Sequence, residues 1–164
     1  MNTVLRFVRF LALGSWVGSI IYFVAIVTRG AFAVLTRDQA GALVGFTLSG
    51  LHQLGIIAAI VFLITTIGLD TSFKSLARPA SLGVLLMLLM TLASQRMVIP
   101  RMSTLRREMV SVDNTPLSDP RRAEFDRLHG ISVDLEGGVL IIGLLSLFLI
   151  SNEKDFSRAP WQPT

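Results

Sequence analysis

Four ionisable side chains stand within or beside stretches of sequence otherwise too apolar to carry them: His52, Arg96, His129 and Glu136. An isolated Arg or Glu within a lipid bilayer costs several kcal/mol, and a facing pair lowers that cost. The expected arrangement is therefore Arg96 against Glu136, with His52 and Tyr22 completing the hydrogen bonds. The alternative is that Arg96 extends to the headgroups and Glu136 takes up a proton. His129 precedes Glu136 by nearly two helical turns, so the two share a face with Phe125 and Ser132. The candidate intramembrane polar site is thus Tyr22, His52, Arg96, His129, Ser132 and Glu136. Asp134 points to the other side and reads as interfacial. Imidazoles can also ligate haem iron, copper or zinc, and His52 with His129 would be the ligands of such a site. No cofactor is expected from the spacing itself. Hydrogen-bonded histidines at a wet membrane edge are the favoured account of the pair.

These residues share a depth. His52 lies about 16 residues from Gly68, Arg96 about 16 from Ala80 and Glu136 about 14 from Ile150, where three apolar runs end. At 1.5 Å per residue all three sit about 21–24 Å from one membrane face, with Tyr22 near the same level.

The elements that position them are four continuous apolar runs. A spanning helix needs about 20 mostly apolar residues. Four segments qualify: 7–28, 42–69, 80–99 and 131–150. They do not alternate, so the backbone is satisfied by helices and not by a barrel. The expected fold is an all-α integral membrane protein, a four-transmembrane-helix bundle over residues 1–152, with a short polar tail at 153–164. The chain has 164 residues, is 52% hydrophobic and carries a net charge of +4. Its mean hydropathy is +0.65. Cysteine is absent, which excludes disulfides, thiolate metal sites and cysteine nucleophiles. The arginines lie at the ends of the runs, where headgroups would meet them. No nucleic-acid surface is expected. No phosphate loop, metalloprotease helix or hydrolase nucleophile motif occurs, and the reading leans away from an enzyme. Arg6 and Arg9 ahead of an apolar run resemble a signal peptide. The run from Phe10 to Val27 is long for a signal core, so a retained span is expected.

Boundary residues extend two helices beyond the membrane. Thr36-Arg37-Asp38-Gln39 reads as a capping box, and Pro79 suits a first turn. Ser118-Asp119-Pro120 suits the start of the fourth helix, which then runs from 120 to 150. The third is expected to continue past Pro100 toward Met109, with a kink. Val110–Leu117 is the turn between these two projecting helices. Nine Lys and Arg on that hairpin side against six on the side of the termini, Lys154 and Arg158 included, lean toward a cytoplasmic hairpin. Gly14 and Gly18 stand at the spacing that lets helices approach closely. Packing within the bundle is the first reading and a homodimer or membrane-protein partner the second. The methionines Met87, Met90, Met97, Met102 and Met109 read as core filler and lipid contact.

A series of short motifs carries a family resemblance. They are Leu13-Gly14-Ser15-Trp16-Val17-Gly18, Leu51-His52-Gln53-Leu54-Gly55, Ile99-Pro100-Arg101-Met102, and Phe125-Asp126-Arg127-Leu128-His129-Gly130-Ile131-Ser132 followed by Glu136. In this order they resemble the bacterial domain of unknown function 4149 family, related to eukaryotic transmembrane protein 205. The eukaryotic relatives have an amide where this chain has Glu136. The resemblance spans roughly residues 5–150. It implies a multi-pass protein of the bacterial inner membrane and brings no established reaction. The function expected is non-enzymatic: packing specificity, or binding of a small solute, lipid or partner at the polar layer. The alternatives are a haem or metal protein using His52 and His129, and a small-solute or metal transporter. The transporter reading lacks broken spans and an evident internal repeat.

Overall fold

The computed structural model describes residues 2–70 and 72–152, and the polar tail at 153–164 lies outside the described residues. Four helices are long and apolar enough to cross a membrane: Thr3–Val34, Arg37–Asp70, Pro79–Met109 and Pro120–Ser151. They are called the first to fourth helix below. Each is longer than the roughly 20 residues a bilayer requires. A turn at Leu35–Thr36, a short 3₁₀ segment at Phe73–Ala77 and the turn after Met109 join them.

Local chemistry sets these ends. Gln39 Oε1 accepts from the Thr36 backbone N–H at 3.3 Å, the reciprocal half of the capping box. Pro79 occupies the first turn of the third helix. Asp119 is the N-cap of the fourth, accepting from the Arg121 N–H at 2.9 Å ahead of Pro120. The third helix passes through Pro100 without stopping, since a π-helical turn at Ser94–Val98 immediately precedes it. A second π turn occupies Phe23–Thr28 of the first helix.

The helices form a ring. Each packs against its neighbours in sequence, and the fourth closes against the first. The second and fourth helices therefore stand on a diagonal. Trp16, Ile20, Phe62, Val84, Met87 and Val139 fill the main core. A second apolar cluster, with Val98, Leu105, Met109, Phe125 and Leu128, lies under the projecting hairpin. Outside the ring the surface is apolar: Phe7, Ile57, Ile64, Leu89, Ile141 and Phe148 are each more than 55% exposed. A belt of this kind on four such helices marks a multi-pass membrane protein, because water would not tolerate so wide an apolar patch.

Close helix approach occurs at glycines other than those expected. A Cβ on Gly14 or Gly18 would meet nothing within 4 Å, so neither is a contact within the bundle. The tight positions are Gly55 against the Trp16 indole, Gly83 against Ser146, Gly138 against Met90, and Gly143 against Val17 and Met87. A side chain from another helix seated against each glycine decides the approach, and a spacing pattern on one helix alone does not report it. Of the methionines, Met87 and Met109 are buried while Met97 is 72% exposed. Arg9, counted from sequence as a flanking charge, is instead buried with its guanidinium over the Phe62 ring, 5.8 Å from the centroid.

The hairpin is fastened to the start of the second helix. Asp38 accepts from the Ser111 hydroxyl at 2.6 Å and from the Val112 N–H at 3.0 Å. Arg106 lies across Gly41, donates to the Asp38 carbonyl at 3.1 Å and covers Phe125. Arg101 forms a two-pronged pair with Glu124, at 2.7 and 2.8 Å, which ties the two projecting helices together.

Candidate functional site

Between the two apolar clusters the bundle interior becomes polar. On the third helix the buried seam runs Met87, Thr91, Ser94, Val98; on the fourth it runs Leu128, Ser132, Val139. His52, from the second helix, projects into this gap and is 1% exposed. Its Nδ1 lies 3.0 Å from Gln95 Oε1 and its Nε2 lies 3.1 Å from Glu136 Oε2. Gln95 in turn donates from Nε2 to the Ser49 hydroxyl at 3.0 Å. The result is one hydrogen-bonded chain, Ser49–Gln95–His52–Glu136. It crosses the bundle diagonal and joins the second, third and fourth helices.

The expected Arg96–Glu136 pair does not form. Arg96 is exposed and has no ion pair among the described residues, and His52 takes its place opposite Glu136. Gln95 and Arg96 are adjacent on a helix, about 100° apart, so only one of them can face the interior. Gln95 is four residues after buried Thr91 and three before buried Val98, which puts it beside the seam. Spacing alone does not choose between the two, because both lie in the π turn, and the greater cost of a buried charge points to the wrong neighbour.

Tyr22 does not complete the layer either. It is 60% exposed, while Phe23 beside it is buried. His129 is exposed, with Phe125 and Leu128 taking the inward positions at its level. Ser132 is buried one turn from Glu136. Asp134 is exposed. Of the six expected site residues, the structure brings His52 and Glu136 into contact and adds Gln95 and Ser49.

Hydrogen-bond accounting limits what the chain can be. With the Gln95 carbonyl turned toward the ring, the amide can only accept there, so in this arrangement His52 Nδ1 carries a hydrogen. The Nε2–Oε2 contact is then attractive only if it holds one proton. That proton sits either on Nε2, as imidazolium beside carboxylate, or on Oε2, as carboxylic acid beside neutral imidazole. A bare lone pair facing a carboxylate would be repulsive in this dry setting. Both ring nitrogens of His52 are engaged by protein groups, so a haem iron or metal would have to displace Gln95 or Glu136. Among the described residues no cluster of three or more His, Cys, Asp or Glu is placed to hold a metal ion.

The family model described as "Domain of unknown function (DUF4149)" matches residues 11–111, more than half the chain. The chain belongs to this family. The match takes in most of the first helix and all of the second and third, hence Ser49, His52 and Gln95, and ends before the fourth, which supplies Glu136. No curated protein and no solved structure matches the chain.

Proposed function

We propose that this chain is a non-enzymatic protein of the bacterial inner membrane whose buried centre takes up and releases a single proton. The setting follows the resemblance of its motifs to the bacterial family and to transmembrane protein 205. The observation that carries the reading is the simultaneous engagement of both His52 nitrogens, at 3.0 Å to Gln95 and 3.1 Å to Glu136.

The chain of hydrogen bonds can run in either direction. In the direction described above, the His52–Glu136 contact holds a proton. If the Gln95 amide turns over, its NH₂ donates to Nδ1 and its carbonyl accepts from the Ser49 hydroxyl. His52 then carries its one hydrogen on Nε2, pointing to a carboxylate. The two arrangements keep all three contacts attractive and differ by one proton. Gaining or losing a proton therefore breaks none of the three contacts, and the centre can change charge without coming apart.

The test is infrared titration of the protein in lipid nanodiscs, following the carboxylic-acid carbonyl band, with Glu136→Gln and His52→Gln variants beside the parent. One carboxylic-acid band that changes with pH, lost in Glu136→Gln and shifted in His52→Gln, is the expected outcome. A parent spectrum without such a band, or one indistinguishable from Glu136→Gln across the titration, overturns the reading.

A further inference from the structure

The first and second helices leave a cleft between them, which meets the polar chain only at Ser49. Two contiguous hollows, each of about 480 Å³, share Gly50, Gln53 and Leu54. Such a volume falls in the range of about 300–1,000 Å³ typical of small-molecule sites. The walls are mainly apolar, with Phe23, Val27 and Leu51 at one end and Val8, Leu11 and Val61 at the other. Among them stand the polar groups of Tyr22, Ser49 and Gln53. None of the described residues lining either hollow carries a charge.

We infer that this cleft binds a neutral amphiphile drawn from the bilayer, whose head presents hydrogen-bond acceptors such as the carbonyls of a quinone or the carbonyl of a fatty amide. Three observations favour it. First, the cleft opens on the outer face of two spanning helices, so its occupant comes from lipid. Second, the Tyr22 hydroxyl and the Gln53 amide form no hydrogen bond among the described residues, though both lie along the membrane-spanning part of their helices. A polar group at that depth is costly until something pairs with it. Third, with Ser49 accepting from Gln95, as in the structure, its own O–H is left to donate into the cleft it lines, and only the turned-over amide takes it back. Three donors in an uncharged, apolar-walled hollow fit a neutral acceptor on a greasy tail. A bare ion would find no countercharge there.

The experiment uses the protein in nanodiscs with two diazirine photoprobes on identical alkyl tails, one headed by a benzoquinone and one a plain hydrocarbon. Labelled peptides are mapped by mass spectrometry. The expected result is saturable labelling around residues 15–23 and 46–54 by the quinone probe alone, displaced by excess unlabelled quinone. Tyr22→Phe combined with Gln53→Leu should weaken it by about tenfold or more, as expected for two lost hydrogen bonds. Gly50→Leu, which fills the shared floor, should abolish it. Equal labelling of every lipid-facing helix by both probes overturns the proposal. So does spontaneous disulfide formation between Gln53→Cys chains in the absence of probe, which would mark the cleft as an interface between two copies.

Discussion

The indole of Trp16 occupies the space in which a side chain at position 55 would begin, so the first and second helices meet at Trp16 and Gly55 with no methyl group between them. Trp16 is 1% exposed, so its indole is enclosed by the core. Gly55→Ala should therefore destabilise the bundle by about 1–3 kcal/mol, the usual cost of overpacking a filled core. Trp16→Phe removes the colliding edge, so the double variant should lose less than the sum of the two single losses. Unfolding in mixed micelles measures all three, and strictly additive losses would show that the contact is not the cause.

The polar chain makes a similar argument at higher stakes. His52→Leu leaves the Gln95 carbonyl and Glu136 without a partner, and Glu136→Leu leaves His52 Nε2 without one. Each should cost about 1–3 kcal/mol. Removing both deletes the two groups that would otherwise be stranded against each other, so a favourable coupling of about 0.5–3 kcal/mol is expected in the double variant. Arg96→Leu, on the outer face, should stay within about 0.5 kcal/mol of the parent. A large loss for Arg96→Leu with additive His52 and Glu136 effects would restore the arginine to the centre.

Val110 carries the only positive φ of a non-glycine residue among those described, at 64°. The Ser111 N–H donates to the Met109 carbonyl across it at 2.7 Å, a three-residue turn that a β-branched residue adopts only under strain. The side chain is 90% exposed and contributes little packing in return. Val110→Gly should stabilise the hairpin by about 1 kcal/mol and slow protease cutting at 110–118. Faster cutting would mean that the turn relies on the valine after all.

The cap of the fourth helix is the place to look for acid sensitivity. Hydrogen bonds from the Arg121 side chain and backbone hold the Asp119 carboxyl at about 2, below its ordinary 3.8. A depressed value in the folded state contributes stability that is full above the ordinary value and lost as pH falls through the lower one. Exchange of the amide hydrogens at Arg121 and Ala123 should accordingly rise as pH drops from about 4 to 2, once corrected for intrinsic rates. Asp119→Asn keeps a capping oxygen that does not titrate and should show a flat profile. Parallel profiles for the two proteins would assign the change elsewhere.

The four spans and the long third and fourth helices were legible because their causes are local. Unbroken apolar runs leave no choice but helix, and Asp119, Pro79 and the Thr36–Gln39 pair act within a turn of where they stand. The level of the polar layer was legible too, since depth only requires counting along a helix. The rotation was not. Whether Gln95 or Arg96 faces inward depends on winding through the π turn, and cost per residue favoured the wrong neighbour. Exposure of His129 and Tyr22 reflects which helices reach that level, and the close approach at Gly55 depends on a tryptophan in another helix. Both belong to packing between helices.

The π turn at Ser94–Val98 has a consequence for everything beyond it. A π turn absorbs one residue more than the α-helical turn it replaces, so the segment Ile99–Met109 is phased as though one residue fewer lay below it. Were the same residues wound as a regular α-helix, the azimuth of everything above would swing relative to the bundle below by about 100°. Leu105 and Met109 would leave the seam against the fourth helix, and Arg106 would swing away from Phe125 and Asp38. The handedness of contact at the hairpin is thus stored some 15 Å below it, in the same turn that presents Gln95 to His52.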